Sequence, residues 1–419
     1  MAAQSPAELD EIWEKEHVSK ILPSNVRHRD LKAYIEGLKK TGVKVAEVGR
    51  SFSQREIYQA EFGKGPLKVF LWSQMHGDEP TATSSLIDLF TILQKNRDKE
   101  WVKRIESAMT IRAVPMLNPD GSEVYMRRNM QGLDINRDAI ELKSPEAQLL
   151  KKLRDEWSPH IGFNLHNQGA LTTVGPTAKQ AAISFLVVYG DAEKTTNDGH
   201  ERNRRLASAM VQSIESYIPG HIGRYGDEFT STAFGDNFSA WGTPVILIET
   251  GALYGRSEMF LIKLNFIAIG TALKALADGS EKGFDPARYE LLPNNSSGRL
   301  MNVIFRNASI LNKATPNEVT TADIGANTER RRAEFLSPTV IRRIGSLTGV
   351  AGLEEYDASS FYAVGRFQPL TSGSFAEILF YKKDREVDWS VADLEKAVPP
   401  DAIFSLGKWI KGEGVVPKK

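Results

Sequence analysis

"PLKVFLWSQMHGDEPTATSSLIDLFTIL", residues 66–93, passes through three kinds of local pattern in turn. The run "LKVFLWS" is apolar apart from Lys68 and the terminal serine, the mark of a strand buried in a sheet. "QMHGDEP" (74–80) is a polar strand end, and "PTATSSLIDLFTIL" is a helix with proline in its first turn. The same order of apolar strand and polar end returns in "AMTIRAVPMLNPDG" (108–121), "HIGFNLHNQG" (160–169) and "TPVILIETG" (243–251). Between them lie helical segments, "SPEAQLLKKLRDEW" (144–157) and "GHERNRRLASAMVQSIESYI" (199–218). Strands alternating with helices predict an α/β fold whose strand ends converge on one site.

Upstream, "SNVRHRDLKAYIEGLKKTG" (24–42) places Leu31, Ile35 and Leu38 at the helical period, with Gly42 at the stop. "VKVAEVGRS" (43–51) and "REIYQAEFGKG" (55–65) alternate like the two arms of a hairpin. The helix "SEMFLIKLNFIAIGTALKALADGS" (257–280) closes the region, and the character changes near Lys282. Short runs such as "RLMNVIFRN", "FYAVGRF" and "SFAEILFYKK" then alternate with Gly, Ser, Asn and Pro. They predict a smaller β-rich C-terminal domain over 283–419, after a first domain over 1–282. "VDWSVADLEKAVPPDAIFSLGKWIKG" (387–412) adds a helix and a last packed piece.

Composition narrows the chemistry. The 53 Lys+Arg residues match the 53 Asp+Glu, so there is no general attraction for nucleic acid or an anionic membrane. Without cysteine, disulfides, thiolate-bound zinc, iron–sulfur clusters and a thiol nucleophile are all excluded, and any metal must sit on His, Asp or Glu. No apolar run reads as long enough to span a bilayer. The start "MAAQSPAELD" has no basic region followed by an apolar one. "AAQSPAE" fits either the stub left by a removed export signal, which favours a secreted or periplasmic protein, or the start of a cytoplasmic one.

His76 and Glu79 stand three apart where a strand ends, within reach of one point; Asp78 lies between them. Zinc favours imidazole nitrogen and carboxylate oxygen, and catalytic sites leave one position open. The competing reading is a solvent-facing cap for the helix at Pro80. His166, at the polar end of "FNLH", completes a His, Glu, His set of the kind that holds catalytic zinc. "NPDGSEVYMRRNMQGLDINRD" (118–138) reads either as a charged surface loop or as an anion grip made by Arg127, Arg137 and Asn136. Glu249 follows four apolar residues, and a desolvated carboxylate near a metal-bound water is what general base catalysis requires.

In this order, "HGDE", "NPDG", "RRNMQGLDINR", "FNLH" and "LIETG" resemble the motifs of the zinc carboxypeptidase (funnelin) family, in a bacterial-type form with an extra C-terminal domain. The resemblance covers about residues 45–275 and implies that the α/β fold is a mixed twisted sheet flanked by helices. It implies that His76, Glu79 and His166 bind one Zn2+ ion, and that Glu249 takes the proton of the zinc-bound water and later gives it to the leaving amine. It assigns the tetrahedral oxyanion to Arg127, with the adjacent Arg128 as second choice, and the substrate's terminal carboxylate to Asn136 and Arg137. Glu79 rather than Asp78 becomes the ligand, because the family spacing is three. The chain departs from the pattern at Asn164, Asn167 and Asp138, where the family has Asp, Ser and Asn. The specificity pocket falls on "STAFGDNFSAWG" (231–242), where Gly235 leaves room and Asp236 could face a cationic side chain. The tyrosine that often covers substrate in the family is not placed by the sequence, with Tyr225 and Tyr254 both open.

The implied activity is a metallocarboxypeptidase releasing the last residue of a peptide with a free C-terminal carboxylate, with cell-wall peptides among its substrate classes. Two alternatives compete with it: a zinc-dependent deacylase of small acylated amino acids, and a zinc-bearing binding protein without turnover.

Overall fold

A computed structural model describes residues 6–419. Residues 2–5 of the N-terminal stretch that bears on export lie outside the described residues. The described residues form two compact units, residues up to 170 with 179–295, and residues 171–178 with 296–419. The first unit continues beyond 282 because Tyr289 is buried and its hydroxyl accepts from the Val187 backbone N–H at 2.9 Å.

In the first unit the chain runs through α1 (Pro6–Glu16), α2 (His28–Thr41), β1 (Lys44–Arg50), β2 (Glu56–Gly63), β3 (Leu67–Ser73), α3 (Thr81–Lys95), α4 (Glu100–Ala108) and β4 (Met109–Val114). It continues through α5 (Pro119–Val124), α6 (Pro145–Trp157) and β5 (Ile161–Asn167). After β6 (Thr173–Val174), which belongs to the second unit, come β7 (Ile183–Val188), α7 (Asp198–Ile214), β8 (Ile222–Arg224), α8 (Phe234–Ala240), β9 (Val245–Thr250), α9 (Glu258–Asp278) and α10 (Ala287–Glu290).

The eight strands are ordered β1-β2-β4-β3-β5-β9-β7-β8. β4, β3, β5 and β9 are mutually parallel, so their polar ends share one edge. Register sets His166 beside Glu249 and Ser73 beside Leu165. The predicted hairpin is the antiparallel β1–β2 pair, and Gly42 stops α2 at φ 91°, a left-handed conformation glycine adopts without a Cβ penalty.

Alternation in β3 shows how the sheet divides the core. Val69 and Leu71 face a layer built on α1, α2, α3, α4, α7 and α9, while Phe70 and Trp72 face one built on α6 and α8. α9 corrects the sequence reading, since it alone among the described helices is long and apolar enough to cross a membrane. Here 72% of that apolar window is buried inside the protein, where Leu264, Phe266, Ile267 and Ile269 join the first layer. The stretch "NPDG" is also no surface loop: it opens α5, whose residues Pro119–Ser122 are buried.

The second unit is β-rich. After β10 (Asn295–Ser296) its strands are β11 (Leu300–Leu311), β12 (Val319–Thr328), β13 (Thr339–Gly345), β14 (Ala351–Asp357), β15 (Phe361–Gly365), β16 (Ile378–Lys382), β17 (Ala402–Ser405) and β18 (Lys408–Lys411). They form one sheet over an aromatic core that includes Phe305, Phe380 and Phe404. The segment read from sequence as a helix and a last packed piece holds one helical turn at Leu394–Ala397, followed by the β17–β18 pair.

Candidate functional site

Three ligand-type side chains meet where β3 and β5 end. One ligand atom from each of His76, Glu79 and His166 lies within 4.8 Å of the others, and all three residues are buried. His76 Nδ1 and His166 Nδ1 stand 3.2 Å apart. The two oxygens of Glu79 divide between them, at 2.8 Å from His76 Nδ1 and 2.7 Å from His166 Nδ1. Two imidazole nitrogens and a carboxylate facing one point concentrate lone pairs, which a cation satisfies; the donor set suits zinc. Asp78 takes no part in this cluster.

The outer partners fix the inner ones. His76 donates from Nε2 to Asp134 Oδ1 at 3.1 Å, which turns its Nδ1 toward the cluster. Asp134 Oδ2 accepts from Arg127 Nε at 2.9 Å, so one carboxylate aligns both a ligand and the neighbouring cation. Arg127 Nη1 then lies 3.1 Å from His76 Nδ1 and 3.2 Å from Glu79 Oε1. Arg128 points elsewhere, donating to the Gly132 carbonyl. Asn167 supports Glu79 through its backbone N–H at 3.1 Å, while its side chain binds Thr81 at the start of α3.

Glu249 stands on β9 beside His166 and is only 7% exposed. Burial, reinforced by the charge of Glu79 and opposed by Arg127, holds its carboxyl well above the usual range. Glu79 goes the other way: burial opposes ionisation, but His76 and His166 outweigh it and hold the carboxyl well below. Two neighbouring carboxylates thus receive opposite protonation tendencies, the pattern expected of a ligand next to a base. His166 is lowered by burial. In His76 burial is outweighed by Glu79 and Asp134, and the net direction is up. Of the two tyrosines, Tyr225 is the one coupled to the site, its phenol pushed up to about 12 by the charge of Glu249 and by burial. Tyr254 is 52% exposed.

Asn136 and Arg137 form a 3-10 turn capped by Asp134. Asn136 Oδ1 accepts from the Phe234 N–H at 2.9 Å, tying this turn to the start of α8. Arg137 is exposed and donates from Nη1 to the Asn136 carbonyl. Asp138 turns away from them, accepting from Lys143 N and from the backbone and hydroxyl of Ser144, the cap of α6. Asp236 Oδ1 accepts from Thr230 N at 2.8 Å, and burial pushes its carboxyl up to about 6. Gly235 packs against the amide of Asn164, where an added Cβ would stand 3.1 Å from Nδ2.

Two contributors escaped the sequence reading. Asp134 carried a signal, since it is the Asp of "GLDINR", but its partners lie elsewhere in the chain, His76 being 58 residues away. Asn167 was noted only as a departure from the family pattern.

Comparison with known proteins adds a family pattern to this geometry. A zinc carboxypeptidase family model matches residues 31–183. Carboxypeptidase 2 of Trichophyton tonsurans is 33% identical over 153 residues, 36% of this chain and 28% of that protein. Human carboxypeptidase Z is 29% identical over 166 residues, 33% of this chain and 25% of that protein. The chain therefore spans about a quarter of the length of these curated relatives. A solved structure from Shewanella denitrificans, provisionally named carboxypeptidase A, shares the fold with a TM-score of 0.50 at 16% identity, over 60% of this chain and 69% of that one.

Proposed function

We propose that the chain, which a zinc carboxypeptidase family model matches over residues 31–183, is a zinc-dependent metallocarboxypeptidase that hydrolyses the C-terminal peptide bond of a peptide. The observation that carries the reading is the meeting of His76, Glu79 and His166 with Arg127, beside Glu249 on the adjacent strand. The first three would hold a zinc ion, which when bound would supply Lewis acidity at the scissile carbonyl.

Glu249 takes a proton from the attacking water as the water oxygen bonds to the carbonyl carbon, and delivers it to the departing amine nitrogen when the C–N bond breaks. Its raised carboxyl suits it to hold that proton between the two steps. Arg127, kept at the cluster by Asp134, stabilises the oxyanion. Asn136 and Arg137 receive the terminal carboxylate, which limits cleavage to the last residue. Asp236 contributes to the side-chain pocket with the oxygen not used by Thr230. Tyr225 covers the bound substrate from beside Glu249. Cell-wall peptides are one substrate class within this reading.

The test is release of free amino acid from a peptide panel by wild type and Glu249→Gln, with zinc content measured in both. Loss of a general base removes about 10²–10⁴-fold of kcat, at unchanged zinc stoichiometry. Equal activity in the two would sink the mechanism. A chelator that lowers the melting temperature with no hydrolysis to abolish would favour a binding protein. Turnover of N-acyl amino acids without turnover of peptides would favour a deacylase.

A further inference from the structure

Arg127 enters the site from the loop after α5, whereas His76 and Glu79 enter from the loop after β3, and the two loops are joined below the site. Asn118 is fully buried at that junction. Its Oδ1 accepts from Gly121 N at 2.8 Å and caps α5. Its Nδ2 donates in two directions, to the Met75 carbonyl at 3.2 Å and the Arg127 carbonyl at 3.3 Å. The residue before His76 and the backbone of Arg127 thus hang from one carboxamide.

The neighbouring contacts run the same way. Gly77 N donates to the Arg127 carbonyl at 3.3 Å. A Cβ on Gly77 would lie 2.0 Å from the carbonyl carbon of Gly121, so the loop and α5 touch backbone to backbone. Gln74 is held at φ 51°, a sparsely populated conformation for a side-chain-bearing residue. Its Nε2 reaches the Gly77 carbonyl and the Ser122 hydroxyl, both at 3.0 Å. Local strain at Gln74 is maintained where it welds one loop to the other.

We propose that Asn118 is a positioning residue for the reaction. By bridging Met75 and Arg127 it fixes where the Arg127 guanidinium stands relative to His76 and Glu79. The inference rests on the carboxypeptidase reading for its kinetic consequence, and on the hydrogen bonds alone for its structural one. Asn118→Asp separates the two functions of the side chain: aspartate still caps α5, but it presents oxygen to two carbonyls that need donors.

Kinetics and amide exchange are measured for wild type, Asn118→Asp, Arg127→Ala and the double variant. We expect Asn118→Asp to lower kcat at least tenfold with KM changed less than threefold. Removing one oxyanion donor outright costs about 10²–10³, so the double variant should be no slower than Arg127→Ala. Multiplying losses in the double variant, or a kcat within twofold of wild type, would overturn the proposal. Exchange of the Gly77 amide should accelerate at least tenfold in Asn118→Asp, with β5 amides unchanged; unaltered Gly77 exchange would also overturn it. That arm decides the matter if the wild type proves to have no peptidase activity, an outcome that removes the proposed reaction alone. If Asn118→Asp does not fold, Asn118→Ser, whose hydroxyl still caps α5 but is a single donor that cannot serve both carbonyls, replaces it in every arm, with the same thresholds.

Discussion

Asp134 shows how one side chain can govern two others. It is held well below the usual carboxylate range because, although burial opposes ionisation, the hydrogen bond and charge of His76 and the charge of Arg127 prevail. It therefore remains an acceptor for both groups across the working pH range. Asp134→Asn keeps the shape but loses the charge, and its amide can present only one oxygen where two are used. Metal affinity should fall about 10–100-fold, measured by competition with a chromogenic chelator, with the melting temperature of chelator-treated protein little changed. Affinity within twofold of wild type would remove Asp134 from this role. The ligand cluster was legible in the sequence because each ligand stands at the polar end of an apolar strand, and the motifs occur in family order. The role of Asp134 was not. Locally it caps a 3-10 turn, accepting from Asn136 N, and nothing in the local pattern announces a partner on β3's loop. Asn136 was likewise read only as a substrate group, while its Oδ1 is engaged by Phe234 of α8.

Among the elements, α5 was the least legible. "NPDG" reads as a turn because Asn, Pro, Asp and Gly are all turn formers, yet Pro at the first position after an Asn cap also starts a helix. Burial against neighbouring segments decides between these readings. Asp120, in the first turn of α5, accepts from the Ser51 hydroxyl at 2.9 Å, from Ser53 N at 2.8 Å and from Arg55 Nη1 at 2.6 Å, so the β1–β2 turn is anchored to α5. Burial raises its carboxyl, but these donors outweigh it and the net direction is down. A carboxyl depressed in the folded state stabilises it fully above the unfolded value of about 3.9. The contribution is lost as pH falls through the folded value. Asp120→Asn should therefore be about 1–3 kcal/mol less stable than wild type at pH 7. The difference should shrink below about pH 4, as read from urea midpoints at both pH values. A gap that is constant or widens in acid would show that ionised Asp120 is not what holds the turn. The β1–β2 hairpin itself was plain from alternation, because its two arms differ in sequence pattern from α2 before them and from the continuous apolar run of β3 after them.

At the scale of the whole molecule, the alternation of strand and helix fixed the class of the first unit, and the loss of that alternation marked the second. The place where one compact unit gives way to the other is less visible, since "FDPARYELLPNN" looks like linker while Tyr289 within it is core. α9 is the element on which this scale turns. Its 21 residues pass for a membrane span by length and composition alone, yet the apolar window is mostly buried inside the protein and Lys263 within it pairs with Asp10 and Glu14 of α1. Every strand of the site's sheet precedes α9 in the chain, and the sheet face it covers must wait for it during synthesis. Leu264, fully buried among α9's partners, should lose about 2–5 kcal/mol on replacement by alanine, a large share of the roughly 5–15 kcal/mol available to a folded protein. Urea denaturation measures that loss, and a change below about 1 kcal/mol would show that the site tolerates a void. A chain cut before residue 258 would therefore leave the apolar residues that pack on α9 open to water, and exposed apolar surface of that kind favours aggregation.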